Sequence, residues 1–135
     1  MVRTLISSGS KSEHDFGFSR AVVQDDWCFV TGMTGPDPGT GIFPESVVEQ
    51  VRNALNAVEK SLKEAGFAVT DVVRVKYYIG DHAYWSMIGP VLGEVFGNIR
   101  PACTCLICGL VDPAIKIEIE VTAFRTDSAA TDTRS

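Results

Sequence analysis

The sequence predicts an α+β fold: a mixed sheet with two helices over one face. Three observations predict it. Apolar residues recur at spacings of three and four from Val48 to Ala65, the period of a helix with one buried stripe. Apolar and polar residues alternate from Ile115 to Ala123, the period of a strand. Further strand-like runs flank two helical segments in the order β-β-β-α-β-α-β-β. With 135 residues, this reads as a single domain over residues 1–125, with a Ser-, Ala-, Thr- and Asp-rich tail over residues 126–135 expected to be disordered.

Thr4 to Ser7 reads as a short first strand, followed by a polar loop. Ala21-Val22-Val23 and Trp27-Cys28-Phe29-Val30 form a hairpin around the acidic turn Gln24-Asp25-Asp26. Glycines and prolines mark a long loop from Gly32 to Gly41. In the helix that follows, Val48, Val51, Leu55, Val58, Leu62 and Ala65 share a stripe. Ser46 and Glu49 have capping-box spacing at its start, and Gly66 suits the left-handed position past its end. In the strand Val72 to Ile79, Val73, Val75, Tyr77 and Ile79 face one way and Arg74, Lys76 and Tyr78 the other.

Asp81 is the expected cap of a second helix that turns Trp85, Ile88, Leu92, Val95 and Phe96 inward. Pro90 removes a backbone donor there, so a kink or interruption is expected. Cys103 to Cys108 reads as a strand, paired through the connection Gly109 to Ala114 with the strand that follows it. The strands carry large apolar residues on both faces, too many for one face to be solvated, which implies burial of the second face by other subunits.

The formal charge of −5 disfavours a nucleic-acid partner, and no apolar stretch approaches the roughly 20 residues of a membrane helix. Without an export signal, the four cysteines read as reduced thiols in the cytoplasm. Cys105-Leu106-Ile107-Cys108 matches C-x-x-C, but residues three apart on a strand face opposite ways, and no second close pair supplies a zinc set. No metal or cofactor is expected. His14 and His82 lie in contexts that suit exposure, and the glycine-rich loop lacks a phosphate-binding pattern. Glu118 and Glu120 share one strand face, either as a solvated face or as a carboxylate pair able to move protons.

The run Phe29-Val30-Thr31-Gly32-Met33, then Asp37-Pro38-Gly39-Thr40-Gly41, then Gln50, resembles the signature of the Rid family, also called YjgF or L-PSP endoribonuclease-like. Phe16 to Val22, Val72 to Asp81, Phe96, Arg100-Pro101-Ala102 and Ile117 to Ala123 extend the resemblance over residues 4–125 in the same element order. It implies a chorismate-mutase-like fold, with three subunits packing their sheets into a central barrel and a cleft at each subunit interface. In the deaminating branch, enamines and imines are hydrolysed to 2-oxo acids and ammonia. An arginine after Pro-Ala clamps the substrate carboxylate, the second glutamate of Glu-Ile-Glu handles water, and an N-terminal tyrosine lines the cleft.

The chain departs from this pattern twice. Cys103 stands at the arginine position and Phe18 at the tyrosine position, while Glu120 is retained. Arg100 starts from the wrong side to replace the arginine. The resemblance implies a homotrimer whose clefts, lined by Phe18, Gly32, Met33, Cys103 and Glu120, hold a small metabolite. Three readings follow: a deaminase or hydrolase acting through Glu120 on an imine, enamine or amide other than the usual 2-imino acids; an enzyme with Cys103 as nucleophile; or a non-catalytic binding trimer in which Cys103 only fills space.

Overall fold

In a computed structural model, residues 2–126 are described; most of the expected tail lies outside the described residues. Six strands form one mixed sheet in the order β1-β2-β3-β6-β4-β5. They are β1 (Arg3–Ile6), β2 (Ala21–Gln24), β3 (Trp27–Met33), β4 (Val72–Ile79), β5 (Ala102–Ile107) and β6 (Ile117–Phe124). Two long helices, α2 (Val47–Glu64) and α3 (Tyr84–Phe96), pack on each other and over one sheet face, and a short α1 (Lys11–Phe16) precedes β2. This is the chorismate-mutase-like arrangement expected. Among the described residues, no helix is long and apolar enough to cross a membrane.

The core lies between the helices and the sheet. On β6, Ile117, Ile119, Val121 and Ala123 are at most 1% exposed, as a central strand requires. α2 supplies Val51, Ala54, Leu55, Val58 and Leu62 from its apolar stripe. Ser46 Oγ accepts the Glu49 N–H at 3.2 Å, so half of the expected capping box is formed. At the other end Gly66, at φ 83°, lets Phe67 N–H reach the Leu62 carbonyl and its own N–H reach that of Lys63. That is a Schellman closure, with buried Phe67 and Leu62 as its apolar contact.

Several local expectations are corrected. The polar stretch read as a loop contains α1, capped by Ser10, whose side chain accepts the Glu13 N–H, and ended by left-handed Gly17. Six residues are too few to show an apolar stripe. The predicted pairing of β5 with the last strand does not form. β5 runs parallel to β4 on the sheet edge, and β6 inserts antiparallel between β3 and β4. Only that position gives the fully apolar face of β6 neighbours on both sides.

Val73 leaves its expected face because a bulge lies between Val72 and Arg74, giving β4 one residue more than β6. In α3 the buried side chains are Ile88, Val91, Leu92 and Phe96. Trp85 is 44% exposed, against Tyr77 at 6.1 Å. Asp81 accepts the Ala83 N–H at 2.8 Å in the preceding turn and does not cap the helix, which starts at Tyr84. The helix continues through Pro90; Ser86, whose carbonyl loses its donor, is exposed, so water can take its place.

Candidate functional site

A cleft of about 570 Å³ opens where β2 stops short of β3. The last pair of that ladder is Ala21 with Val30, whereas β3 continues to Met33. Thr31 is tied back to the preceding loop by its hydroxyl on the Ser19 carbonyl at 2.6 Å. Gly32 and Met33 then line the cleft beside Phe18. The far wall is α2, whose Asn53, Asn56, Ala57 and Lys60 line the cleft at helical spacing. Arg20 and Glu13 close one end.

The loop over this cleft is fixed by two devices. Gly35 passes so close to α2 that a Cβ there would sit 2.7 Å from the Gln50 Cα, which only glycine avoids. Gln50 is fully buried and holds three backbone groups on two segments. Its Nε2 donates to the carbonyls of Pro44 at 2.8 Å and Ala114 at 3.0 Å, and its Oε1 accepts the Lys116 N–H at 2.9 Å.

Glu13 is buried at the cleft end. Burial pushes its carboxyl up, but hydrogen bonds from Ser8, Ser10 and Ser7 outweigh this and hold it below the usual carboxylate range. Arg20 Nε forms an ion pair with Glu13 Oε2 at 3.8 Å, longer than a hydrogen bond.

The second cluster lies on the sheet face away from the helices. Register puts Lys76 opposite Glu120 and Tyr78 opposite Glu118, so all four share that face. Tyr78 donates its hydroxyl to Glu120 Oε1 at 2.9 Å. Glu118 reaches across to β3, where a Cβ on Gly32 would lie 2.8 Å from its Cδ. Burial, and secondarily the charge of Glu120, raise the Glu118 pKa. Glu118 therefore connects the carboxylate pair to the backbone that lines the cleft.

Of the five site residues expected, Phe18, Gly32 and Met33 come together in the cleft of one chain. Glu120 lies on the open sheet face with Tyr78. Cys103 is exposed on edge strand β5, opposite Val75, and so belongs to the face that carries Val75 and Tyr77, away from Glu120. Burial raises its thiol pKa, which opposes nucleophilic use. Among the described residues no group of three or more metal-ligating side chains is assembled. The reading from sequence missed Glu13, Arg20, Lys60 and the Tyr78 hydroxyl. The Ser10, Glu13 and Gly17 cap spacing was a usable signal for the first, and the shared polar face of β4 for the last.

A family model described as Endoribonuclease L-PSP matches residues 11–125. The chain belongs to that family. It is similar to the 2-iminobutanoate/2-iminopropanoate deaminase of Capra hircus, at 29% identity over 93% of this chain and 92% of the goat protein. A RutC family protein of Pyrococcus horikoshii is 28% identical over 80% of this chain and 86% of its own. Among solved structures, a member of the YjgF/YER057c/UK114 family from Mycobacterium tuberculosis superposes with a TM-score of 0.84 at 35% identity, covering 92% of this chain and all of that one. Membership of the L-PSP, or Rid, family therefore rests on sequence and fold together. Arg100 sits at φ 56° and donates to the Gly97 carbonyl at 3.0 Å, closing the turn after α3.

Proposed function

We propose that this Rid-family chain hydrolyses the C=N bond of an imine, reached by tautomerisation where the metabolite is an enamine, or the C–N bond of an amide, the substrate being other than the usual 2-imino acids. Glu120 handles the water. The Tyr78 hydroxyl on Glu120 Oε1 carries this reading, because it fixes one carboxylate oxygen and leaves the other free for water. For an imine, water oxygen bonds to the imine carbon while Glu120 takes one water proton. The π electrons move to nitrogen, which takes that proton from Glu120 and so restores the carboxylate. Collapse of the carbinolamine then releases ammonia and leaves a carbonyl.

The native substrate differs from a 2-imino acid because Cys103 supplies no guanidinium for its carboxylate. The reading places the reaction in clefts between subunits of a cytoplasmic homotrimer, which would bring Phe18, Gly32, Met33, Cys103 and Glu120 together. Its support is the open sheet face, where Leu5, Trp27, Phe29, Leu106 and Phe124 are each at least 40% exposed and invite cover by other copies. The acidic balance argues against an RNA substrate. The cysteine at position 103 also favours a second reading, a trimer that binds a metabolite without turning it over.

The test is ammonia release from 2-iminobutanoate generated in situ, with light scattering for mass. The expected result is negligible turnover by the wild type, a gain in Cys103→Arg, loss of that gain with Glu120→Ala, and a mass near three times 14.6 kDa. Efficient wild-type turnover would refute the reading of position 103. A mass of two chains would refute the interface clefts. If a screen of neutral imines, enamines and amides yields no Glu120-dependent turnover, the binding-trimer reading stands instead.

A further inference from the structure

The strand that carries Cys103 holds a second thiol on the same side. β5 runs parallel to β4 with Cys103 beside Val75 and Cys105 beside Tyr77, so both thiols leave the face that buries Val75 and Tyr77. Cys105 and Cys108, three apart, fail as a chelating pair, whereas Cys103 and Cys105, two apart, pass. β5 is the edge of the sheet, and among the described residues no strand lies beyond it. Both are free thiols, Cys103 exposed and Cys105 half-buried against the margin of the core. The pair is therefore open to solvent at one end and held by packing at the other.

Spacing decides what this pair can do. Alternate residues on a strand lie about 6.5 Å apart, whereas a disulfide needs Cβ atoms about 3.5–4.5 Å apart. The two thiols cannot oxidise to a disulfide with each other while the strand is intact. A metal ion between them demands less. With thiolate–metal bonds of about 2.3 Å, a linear unit holds its two sulfurs about 4.5 Å apart. Side chains on a strand lean along it in a direction set by the rotamer, so two that lean towards each other by about 1 Å close the gap. Among the described residues no third metal-ligating side chain joins them. Two thiolates hold zinc poorly, since it takes four ligands, and suit a soft monovalent ion that accepts two.

We propose that Cys103 and Cys105 form a two-coordinate thiolate site for Cu(I). Two copper–sulfur bonds form as two S–H bonds break, both protons pass to solvent, and no electron is transferred. Burial pushes both thiols up, and the neighbouring Cys103 and Cys108 thiols add to this for Cys105. The empty pair is therefore protonated at neutral pH, and binding strengthens as pH rises. Cys108 lies past the end of β5, its N–H held by the Ile79 carbonyl at 2.9 Å, and is not a ligand. The site needs neither turnover nor assembly into a trimer, so it stands apart from the proposed hydrolysis.

Anaerobic competition of the full chain against ferrozine, a chromogenic Cu(I) chelator, tests it, with native mass spectrometry for stoichiometry. The expected result is one Cu(I) per chain, bound more tightly at pH 8 than at pH 6, with no comparable hold on Zn(II). Losing a residue that merely supports a metal ligand costs about 10–100-fold, so Cys103→Ser and Cys105→Ser should each weaken Cu(I) about a hundredfold or more. Cys28→Ser and Cys108→Ser should leave it unchanged. Cys103 is exposed, so Cys103→Ser separates a lost ligand from a lost fold. Wild type that takes no copper from ferrozine overturns the proposal, and so does full binding by the Cys103 or Cys105 variant. Loss of the ion in Cys108→Ser overturns the two-thiol geometry.

Discussion

Replacing Gln50 with leucine conserves most of the side-chain volume and removes three hydrogen bonds at once. The Pro44 and Ala114 carbonyls lose donors at 2.8 and 3.0 Å, and the Lys116 N–H loses an acceptor at 2.9 Å. These groups surround a fully buried side chain, so water cannot easily replace it. At about 1–1.5 kcal/mol for each backbone group left unpaired, the loss is about 3–5 kcal/mol. With a denaturant slope of about 2 kcal/mol per molar, the urea midpoint should fall by about 1.5–2.5 M at fixed protein concentration. Gln50→Glu should also destabilise at neutral pH, since it keeps the acceptor for Lys116, loses both donors and buries a charge. A fall in the midpoint of less than about 0.5 M for Gln50→Leu, about 1 kcal/mol, would refute the claim that this side chain ties the cleft loop to the start of β6.

Gly35→Ala should cost more than about 3 kcal/mol or prevent soluble expression, because its Cβ would collide with helix backbone that cannot yield; a thermal melt within a few degrees of wild type would contradict the contact. Glu118 has a folded-state pKa raised above 4.5 by burial and by Glu120. The folded state therefore holds its proton longer than the unfolded one, and the stabilising contribution present below about pH 4.5 is lost as pH rises through the folded value. Glu118→Gln should accordingly be more stable than wild type at pH 7 and show a flatter stability profile above pH 4.5, measured by urea unfolding in a pH series. Cys28 is fully buried and burial pushes its thiol up to about 11, so mass-resolved alkylation at pH 8 should modify exposed Cys103 well before Cys28.

The elements that were legible in the sequence are those whose period repeats long enough to be seen. The stripe of α2 and the alternation of β6 survive in the structure because each buries one face along its whole length. What failed was partnership. The connection read from sequence, Gly109 to Ala114, is short enough to suggest a hairpin, although nine residues join β5 to β6. The strand nonetheless pairs with β3 and β4, because burial on its apolar face favours the centre of the sheet over its edge. The bulge at Val73 was equally hidden, since nothing local marks a residue that its partner strand does not match.

Legibility of the site divides in the same way. Phe18, Gly32 and Met33 stand in a recognisable run, whereas Lys60 reads as one more charge on a solvated helix face. Its place in the cleft depends on how α2 lies against β3. Glu120 was legible as a carboxylate, but its bond to Tyr78 depends on a register between strands more than 40 residues apart, which periodicity does not encode.

The central position of β6 also sets the order in which the chain can complete itself. Without β6, the sheet divides into β1-β2-β3 on one side and β4-β5 on the other, with no backbone ladder between them. Yet β6 is the last of these six strands to be synthesised, and its ladder with β3 joins residues 86 to 97 positions apart, from Met33 with Ile119 to Trp27 with Phe124. A growing chain therefore carries two incomplete half-sheets with open edges at β3 and β4 until its final strand is available. Closure then spans almost the whole sequence, the kind of non-local step that slows folding and prolongs exposure of strand edges. Loss of β6 would leave the chain in two unjoined pieces, so the last eight-residue strand is the bolt that locks the sheet.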